Sequence, residues 1–244
     1  MAFDYSWLIG GPQGSGVDTA ANIFSRVGAK LGYHVFGKRE YHSNIKGLHS
    51  YFVVRLSDKK IRSNINGANI MVAYDAETLV RHGLEIIKDG AIIYDASIVN
   101  TTVDQIPTLE ASHKARLLKF FNSKNMEPNV SSILDLAKEN GVKVYPISFR
   151  DILSNIANEL NSPELSRMVR LFNVLGVSFS LGILKAPIEP LLEAIEDTFS
   201  KKPSIVDLNK KAAKFSDFNS SISKIDKESN TLLVQGHQGS ALER

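Results

Sequence analysis

Four glycines lie within the seven residues Gly10-Gly11-Pro12-Gln13-Gly14-Ser15-Gly16, directly after the apolar run Trp7-Leu8-Ile9 and directly before a helical pattern. Few backbone courses suit such a stretch, and the simplest is a buried strand, a tight turn and a helix. Glycines let backbone N–H groups approach a ligand, and the first N–H groups and positive dipole end of the helix face any anion held there. The spacing is not that of the dinucleotide fingerprint G-x-G-x-x-G or of the Walker loop G-x-x-x-x-G-K-[ST]. The glycines fall at 10, 11, 14 and 16, and Val17-Asp18 stand where the loop's lysine and hydroxyl would be. Two readings of Gly11, Gly14 and Gly16 therefore stand side by side: approach of a phosphate or carboxylate to the turn, or a tight strand-to-helix connection.

Strand and helix patterns alternate after the turn. Ser6 to Ile9 reads as a buried strand and Val17 to Leu31 as a helix, with Ala20, Ile23, Phe24, Val27 and Leu31 at helical spacing and Gly32 ending it. Tyr33 to Phe36 is a second strand. Tyr51 to Leu56 alternates as a third, and Ser57-Asp58-Lys59 is expected to turn it into a hairpin toward Ile61. Further strands are expected at Asn69 to Ala73, at Gly90 to Tyr94 after an Asp89-Gly90 turn, and at Val142 to Ile147. Helices are expected at Ala76 to Ile87, 110 to 122, 131 to 139 and about Asp151 to Leu160. From Pro163 only helices follow: Leu165 to Leu184, Ile188 to Phe199 and a weaker one near Ser204 to Phe215. The expected fold is α/β, a doubly wound, mostly parallel sheet with helices on both faces and a β-hairpin, followed by a C-terminal helical segment.

Composition narrows the function classes. The chain has 244 residues, 43% of them apolar, enough for a substantial core. Its most apolar segment, Val174 to Leu184, is interrupted by Gly176, Ser178, Ser180 and Gly182, which suits a packed helix rather than a membrane span. No basic region precedes an apolar signal core at the start of the chain, so a cytoplasmic location without membrane contact is expected. Zero cysteines exclude disulfides, thiolate-bound zinc, cysteine-ligated clusters and a cysteine nucleophile. The six histidines show no paired ligand spacing, so no metal site and no catalytic residue are assigned.

Charge is unevenly spread. From Lys30 to Ile65, eight cations (Lys30, Lys38, Arg39, Lys46, Arg55, Lys59, Lys60 and Arg62) stand against Glu40 and Asp58, a net +6. The rest of the chain therefore carries −3 toward its total of +3. The basic segment reads either as a solvated surface or as a site for a phosphate-bearing ligand. Nucleic acid is not expected, because no sustained basic stripe or recognisable motif is present. His42 and His49 flank Lys46. Tyr41 reads as a packing residue, and Asp75, at the carboxyl end of a strand, reads as the N-cap of the next helix or as a ligand contact.

Three segments together resemble the gamma subunit or gamma domain of the 2-oxoacid:ferredoxin oxidoreductases, the pyruvate and ketoisovalerate oxidoreductase family. They are Ile9-Gly10-Gly11-Pro12-Gln13-Gly14-Ser15-Gly16, Arg39-Glu40-Tyr41-His42-Ser43-Asn44-Ile45-Lys46-Gly47-Leu48-His49-Ser50, and Ile70-Met71-Val72-Ala73-Tyr74-Asp75-Ala76-Glu77. The second departs from the commoner Y-G-P-E-x-R-G-G form at His42, Ser43, Asn44, Lys46 and Leu48, and looks like the archaeal type in which gamma and alpha parts are fused. Near the end, Gly236-His237-Gln238-Gly239-Ser240-Ala241-Leu242 looks like a degraded start of the alpha domain, with Glu243 where that motif has its last glycine. The resemblance thus implies a gamma-type α/β domain over 1–200, a helix and polar, serine-rich linker over 201–230, and the start of an alpha-type domain over 231–244.

The same resemblance implies a role in oxidative decarboxylation of a 2-oxoacid to acyl-CoA with reduction of ferredoxin, as a non-catalytic component. The chain lacks a Gly-Asp-Gly with downstream Asn for magnesium diphosphate and lacks cluster cysteines. Thiamine diphosphate, magnesium and iron-sulfur clusters are therefore expected in alpha- and beta-type partner subunits, and ferredoxin is met through the complex. Coenzyme A is the ligand this chain could help to bind, at Gly11, Gln13, Gly14, Ser15, Gly16, Arg39, Asn44, Lys46 and Gly47. The competing classes are an independent Rossmann-type nucleotide-binding oxidoreductase and a purely structural assembly module. Against the former stands Phe36-Gly37-Lys38-Arg39 where the acidic residue of a dinucleotide site belongs, although Lys38-Arg39 suits a 2′-phosphate.

Overall fold

The first strand, β1 (Asp4–Pro12), is buried from Tyr5 through Gly11, as a strand covered on both faces must be. In the computed structural model, which describes residues 3–41, 49–159 and 171–214, β1 lies inside a six-stranded sheet. The other strands are β2 (His34–Tyr41), β3 (His49–Ser57), β4 (Ala68–Ala73), β5 (Ile86–Asp95) and β6 (Lys143–Ile147), in the spatial order β2-β3-β1-β4-β5-β6. β1, β4, β5 and β6 pair in parallel, and β3 runs antiparallel to both β1 and β2. The expected doubly wound α/β fold is the observed one.

The period-2 alternation of each strand divides the core into two layers. Trp7, Ile9, Ile70, Val72, Ile93 and Tyr145 face one side, where they meet α1 (Val17–Lys30), α5 (Phe149–Glu159), α6 (Phe172–Ile183), α7 (Glu189–Phe199) and α8 (Pro203–Ala213). Leu8, Met71, Ala73, Ile92 and Tyr94 face the other, against α2 (Ala76–His82), α3 (Ala111–Ser123) and α4 (Val130–Glu139). In the first layer Phe24 of α1 stacks on Trp7 with ring centroids 4.3 Å apart. The apolar segment singled out in the sequence forms α6, buried almost all round. No helix among the described residues is long and apolar enough to cross a membrane.

Several elements differ from the sequence reading for identifiable reasons. The hairpin partner of β3 is β2, in the register His34↔Ser57 to Tyr41↔Ser50, and no strand forms near Ile61. Arg55 accounts for part of this, since it grips Asp4 (Nη2–Oδ2 2.5 Å) and donates to the Ser63 carbonyl (2.8 Å), drawing the chain after β3 into a loop. β2 continues beyond Phe36 through Gly37-Lys38-Arg39-Glu40 because it is the sheet's edge, where polar and charged residues are favoured. The helix expected to reach Ile87 stops at His82. Gly83–Glu85 form a 3₁₀ turn, and Ile86 pairs with Ala68 to begin β5. The Asp89-Gly90 pair lies inside β5 as an irregularity, with Asp89 at φ 65° and the register shifting between Ala68 and Ile70 of β4. The part of the expected 201–230 segment beyond 214 and the expected alpha-type start at 231–244 lie outside the described residues.

A buried polar thread joins the central strand to α6. The Trp7 indole Nε1–H donates to Ser180 Oγ at 2.8 Å, and that hydroxyl donates to the Gly176 carbonyl at 2.8 Å. Ser180→Ala is expected to strand the indole N–H and destabilise the fold by about 1–3 kcal/mol. The urea midpoint, at unchanged m-value, measures this.

Candidate functional site

The chain leaves β1 toward β2 on one side of the sheet, while β4 on the other side of β1 leads toward β5 and β6. The carboxyl ends of β1 and β4 therefore flank the crevice in which open α/β sheets hold ligands. Two groups of residues meet there, one on the α1 side and one on the α2 side.

On the α1 side lies the glycine turn. Ser15 N–H donates to the Pro12 carbonyl at 3.0 Å, closing the turn, and Gly14 and Gly16 take φ values of 86° and 92°. Gly16 is the N-cap of α1 and supplies no side-chain cap, so the helix's first N–H groups are not satisfied by a capping side chain. The Ser15 hydroxyl is buried and has no hydrogen-bond partner among the described residues. Close packing explains most of the glycines. A Cβ on Gly10 would lie 2.6 Å from Thr78 Cγ2, one on Gly11 2.9 Å from Ser15 Oγ, and one on Gly16 2.1 Å from Asn173 Nδ2. A Cβ on Gly14 would meet nothing within 4 Å, so that residue faces open space.

Arg39 of β2 reaches this turn through an ion pair with Asp18 in the first turn of α1 (2.8 Å). Lys38 pairs with Glu40 at 2.5 Å on the same strand. The counterions of the basic segment come largely from outside it: Asp18 for Arg39, Asp4 for Arg55, and Glu193 and Asp197 for Lys30. Gln13 is half-buried beside the turn, and Arg62 is exposed. Asn44, Lys46, Gly47 and His42 fall outside the described residues.

On the α2 side is a cavity of about 270 Å³ whose lining includes Pro12, His49, Asp75, Glu77, Gln105 and Thr108. Asp75 caps α2, its Oδ1 accepting from Thr78 N (2.8 Å) and Thr78 Oγ1 (2.6 Å). Burial pushes its carboxyl pKa upward, against the lowering effect of the Thr78 hydrogen bonds. Glu77, 2% exposed, accepts from Arg81 Nε at 2.8 Å and from the Thr108 hydroxyl, and Arg81 also pairs with Glu110. His49 Nε2 lies 3.2 Å from His82 Nε2, and His82 Nδ1 lies 3.0 Å from Glu85 Oε2. On this side of the crevice the sequence pointed to Asp75, as cap or ligand contact, but not to its neighbours Glu77 and His82. Glu77 and Arg81 are legible as an i,i+4 pair, whereas the His49–His82 contact joins residues on different elements and leaves no local signal.

A doubly wound, mostly parallel sheet with an uncapped helix start and a cavity at its switch point places the chain in the α/β class. The chain belongs to the pyruvate ferredoxin/flavodoxin oxidoreductase family, which matches residues 6–215. A 2-oxoacid:ferredoxin oxidoreductase 1 subunit alpha from Sulfurisphaera tokodaii is 39% identical over 196 residues, covering 80% of this chain and 31% of that subunit. The chain thus spans about a third of the length of the curated relatives it matches. The same fold occurs in a 2-oxoglutarate:ferredoxin oxidoreductase from Magnetococcus marinus solved with 2-oxoglutarate, coenzyme A and succinyl-CoA bound. That likeness has a TM-score of 0.59 at 19% identity and covers 93% of this chain and 32% of that one. It occurs also in a keto/oxoacid ferredoxin oxidoreductase gamma subunit from Geobacter sulfurreducens, with a TM-score of 0.58 at 14% identity, covering 90% of this chain and 99% of that one.

The packing at the turn orders the glycines by cost. Gly14→Ala is expected to destabilise by about 1–2 kcal/mol, the cost of a left-handed backbone alone. Gly16→Ala adds the collision with Asn173 and is expected to cost about 3 kcal/mol or more. Chemical denaturation of the two variants gives the order.

Proposed function

We propose that this chain serves as the gamma-type component of a 2-oxoacid:ferredoxin oxidoreductase, a non-catalytic part that completes the complex and contacts coenzyme A at the start of α1. The catalytic steps, on thiamine diphosphate with magnesium and through iron-sulfur clusters to ferredoxin, belong in this reading to alpha- and beta-type partners. The near-complete coverage of the Geobacter sulfurreducens gamma subunit supports the gamma role, and the shared fold with the Magnetococcus marinus enzyme solved with coenzyme A bound supports the ligand. The domain division at about residues 200 and 230, with the segment beyond opening an alpha-type part, belongs to the same reading.

The observation that carries the ligand site is the uncapped start of α1 beside the buried, unpartnered Ser15 hydroxyl. Backbone N–H groups, a hydroxyl donor and a nearby guanidinium form a donor set that suits the diphosphate or 3′-phosphate of coenzyme A. A phosphate there competes with Asp18 for Arg39. Asn44, Lys46 and Gly47 are proposed to complete the set. A second reading, a purely structural assembly module, is favoured by the pairing of Lys38 and Arg39 with local carboxylates.

Co-expression of the tagged chain with its alpha- and beta-type partners is expected to yield one complex carrying thiamine diphosphate and iron. Recovery of the chain alone would contradict the assignment. Calorimetric titration of that complex with coenzyme A separates the two readings. With the turn as ligand site, Arg39→Ala and Ser15→Ala weaken binding by about tenfold, equivalent to about 1.4 kcal/mol. The structural module leaves the affinity unchanged.

A further inference from the structure

The cavity on the α2 side is lined by three side chains that the proposed anion site does not use. His49 comes from β3, and Asp75 and Glu77 from the first turn of α2. One donor atom from each lies within 4.8 Å of the other two. Three atoms at that spacing leave a point within about 2.8 Å of all of them, against Zn–N and Zn–O bonds of about 2.0–2.2 Å. Side-chain movements of up to roughly 0.6–0.8 Å bring all three to bonding distance.

One tautomer of the surrounding hydrogen-bonded histidines presents these groups in ligating form. When His82 Nδ1–H donates to Glu85, His82 Nε2 becomes an acceptor and His49 must donate to it from Nε2. That tautomer places the lone pair of neutral His49 on Nδ1. The Glu85–His82–His49 series is the outer support that metal-bound histidines usually have. Asp75 uses only Oδ1 in its cap to Thr78 and has no ion pair among the described residues. Glu77 spends Oε1 on Arg81 and Oε2 on the Thr108 hydroxyl, and a carboxylate oxygen accepts in two directions. Asp75 and Glu77 against the single guanidinium of Arg81 leave one carboxylate in excess at the cavity. A cation bound there offsets that excess.

We propose that His49 Nδ1, Asp75 Oδ2 and Glu77 Oε2 form a site for one divalent transition-metal ion, Zn²⁺ or Mn²⁺, with water filling the remaining positions. One imidazole and two carboxylates suit these ions better than Ca²⁺ or Mg²⁺, which favour all-oxygen sets. The ion ties β3 to the β4–α2 junction and so fixes the α2 wall of the crevice. The inference is independent of the gamma assignment and of the coenzyme A site.

The test uses the full 244-residue chain, stripped with a chelator and titrated with Zn²⁺ against a chromophoric competitor and with Mn²⁺ by electron paramagnetic resonance. One saturable site is expected, with a thermal midpoint that rises as metal is added. Asp75→Asn and His49→Gln are each expected to weaken binding by at least about tenfold, and His82→Phe by roughly ten- to a hundredfold through lost support. His34→Ala, at the exposed start of edge strand β2, leaves the affinity unchanged. Absence of stoichiometric binding by the unmodified chain overturns the proposal, as does unchanged affinity in the folded Asp75 and His49 variants. Should those variants fail to fold, the Mn²⁺-loaded unmodified chain decides. Nitrogen coupling from one imidazole is expected, and its absence overturns the site.

Discussion

Both layers of the molecule converge on the end of β1 and the turn after it, and that convergence is possible because Gly10, Gly11 and Gly16 lack side chains. Thr78 of α2 presses on Gly10 from one layer. Tyr74, whose hydroxyl donates to the Phe172 carbonyl at the start of α6, presses on Gly11. Asn173 of α6 presses on Gly16 from the other layer. A strand interior with two glycines loses cross-strand packing, and two left-handed residues follow it. Those costs are accepted where the start of α1 and the start of α2 must open on the same crevice.

The two sides of that crevice differ in electrostatic character. On the α1 side, uncapped N–H groups, the Ser15 hydroxyl and Arg39 favour an anion. On the α2 side, Asp75 and Glu77 leave a carboxylate surplus next to the His49–His82 pair. The +6 segment in the sequence is less basic in space than along the chain, because Asp4, Asp18, Glu193 and Asp197 fold back onto its cations. Exposed pairs of this kind add little stability. Their effect is to lower the positive field that the basic segment presents.

Much of the fold was legible because periodicity and turn residues are local signals. β1, α1, β4 and β6 follow from apolar patterns, and Gly32 and Gly141 stand at positive φ just past α1 and α4. The hairpin partner of β3 was not, because strand pairing is set across the sheet and Arg55's grip on Asp4 joins residues 51 apart. The extra length of β5 was hidden because Asp89-Gly90 has the composition of a turn although it lies within a strand. At the site, the turn and the Asp75 cap were readable from residue type and position. The packing reason for Gly10 and Gly16 was not, since Thr78 and Asn173 arrive from other elements. The His49, Asp75 and Glu77 group was missed for the same reason, as histidine spacing along the chain carries no record of a histidine brought beside two carboxylates by the sheet.

A double-mutant cycle between Gly16 and Asn173 tests the convergence most directly. If the close approach of Asn173 is what demands glycine at 16, removing the Asn173 side chain relieves much of the cost of Gly16→Ala. The expected coupling energy is about 1 kcal/mol or more in the relieving direction, read from urea unfolding of the two single variants and the double. Additive effects would contradict the account, showing that Gly16 answers only to its left-handed backbone and that the layers do not meet there as described.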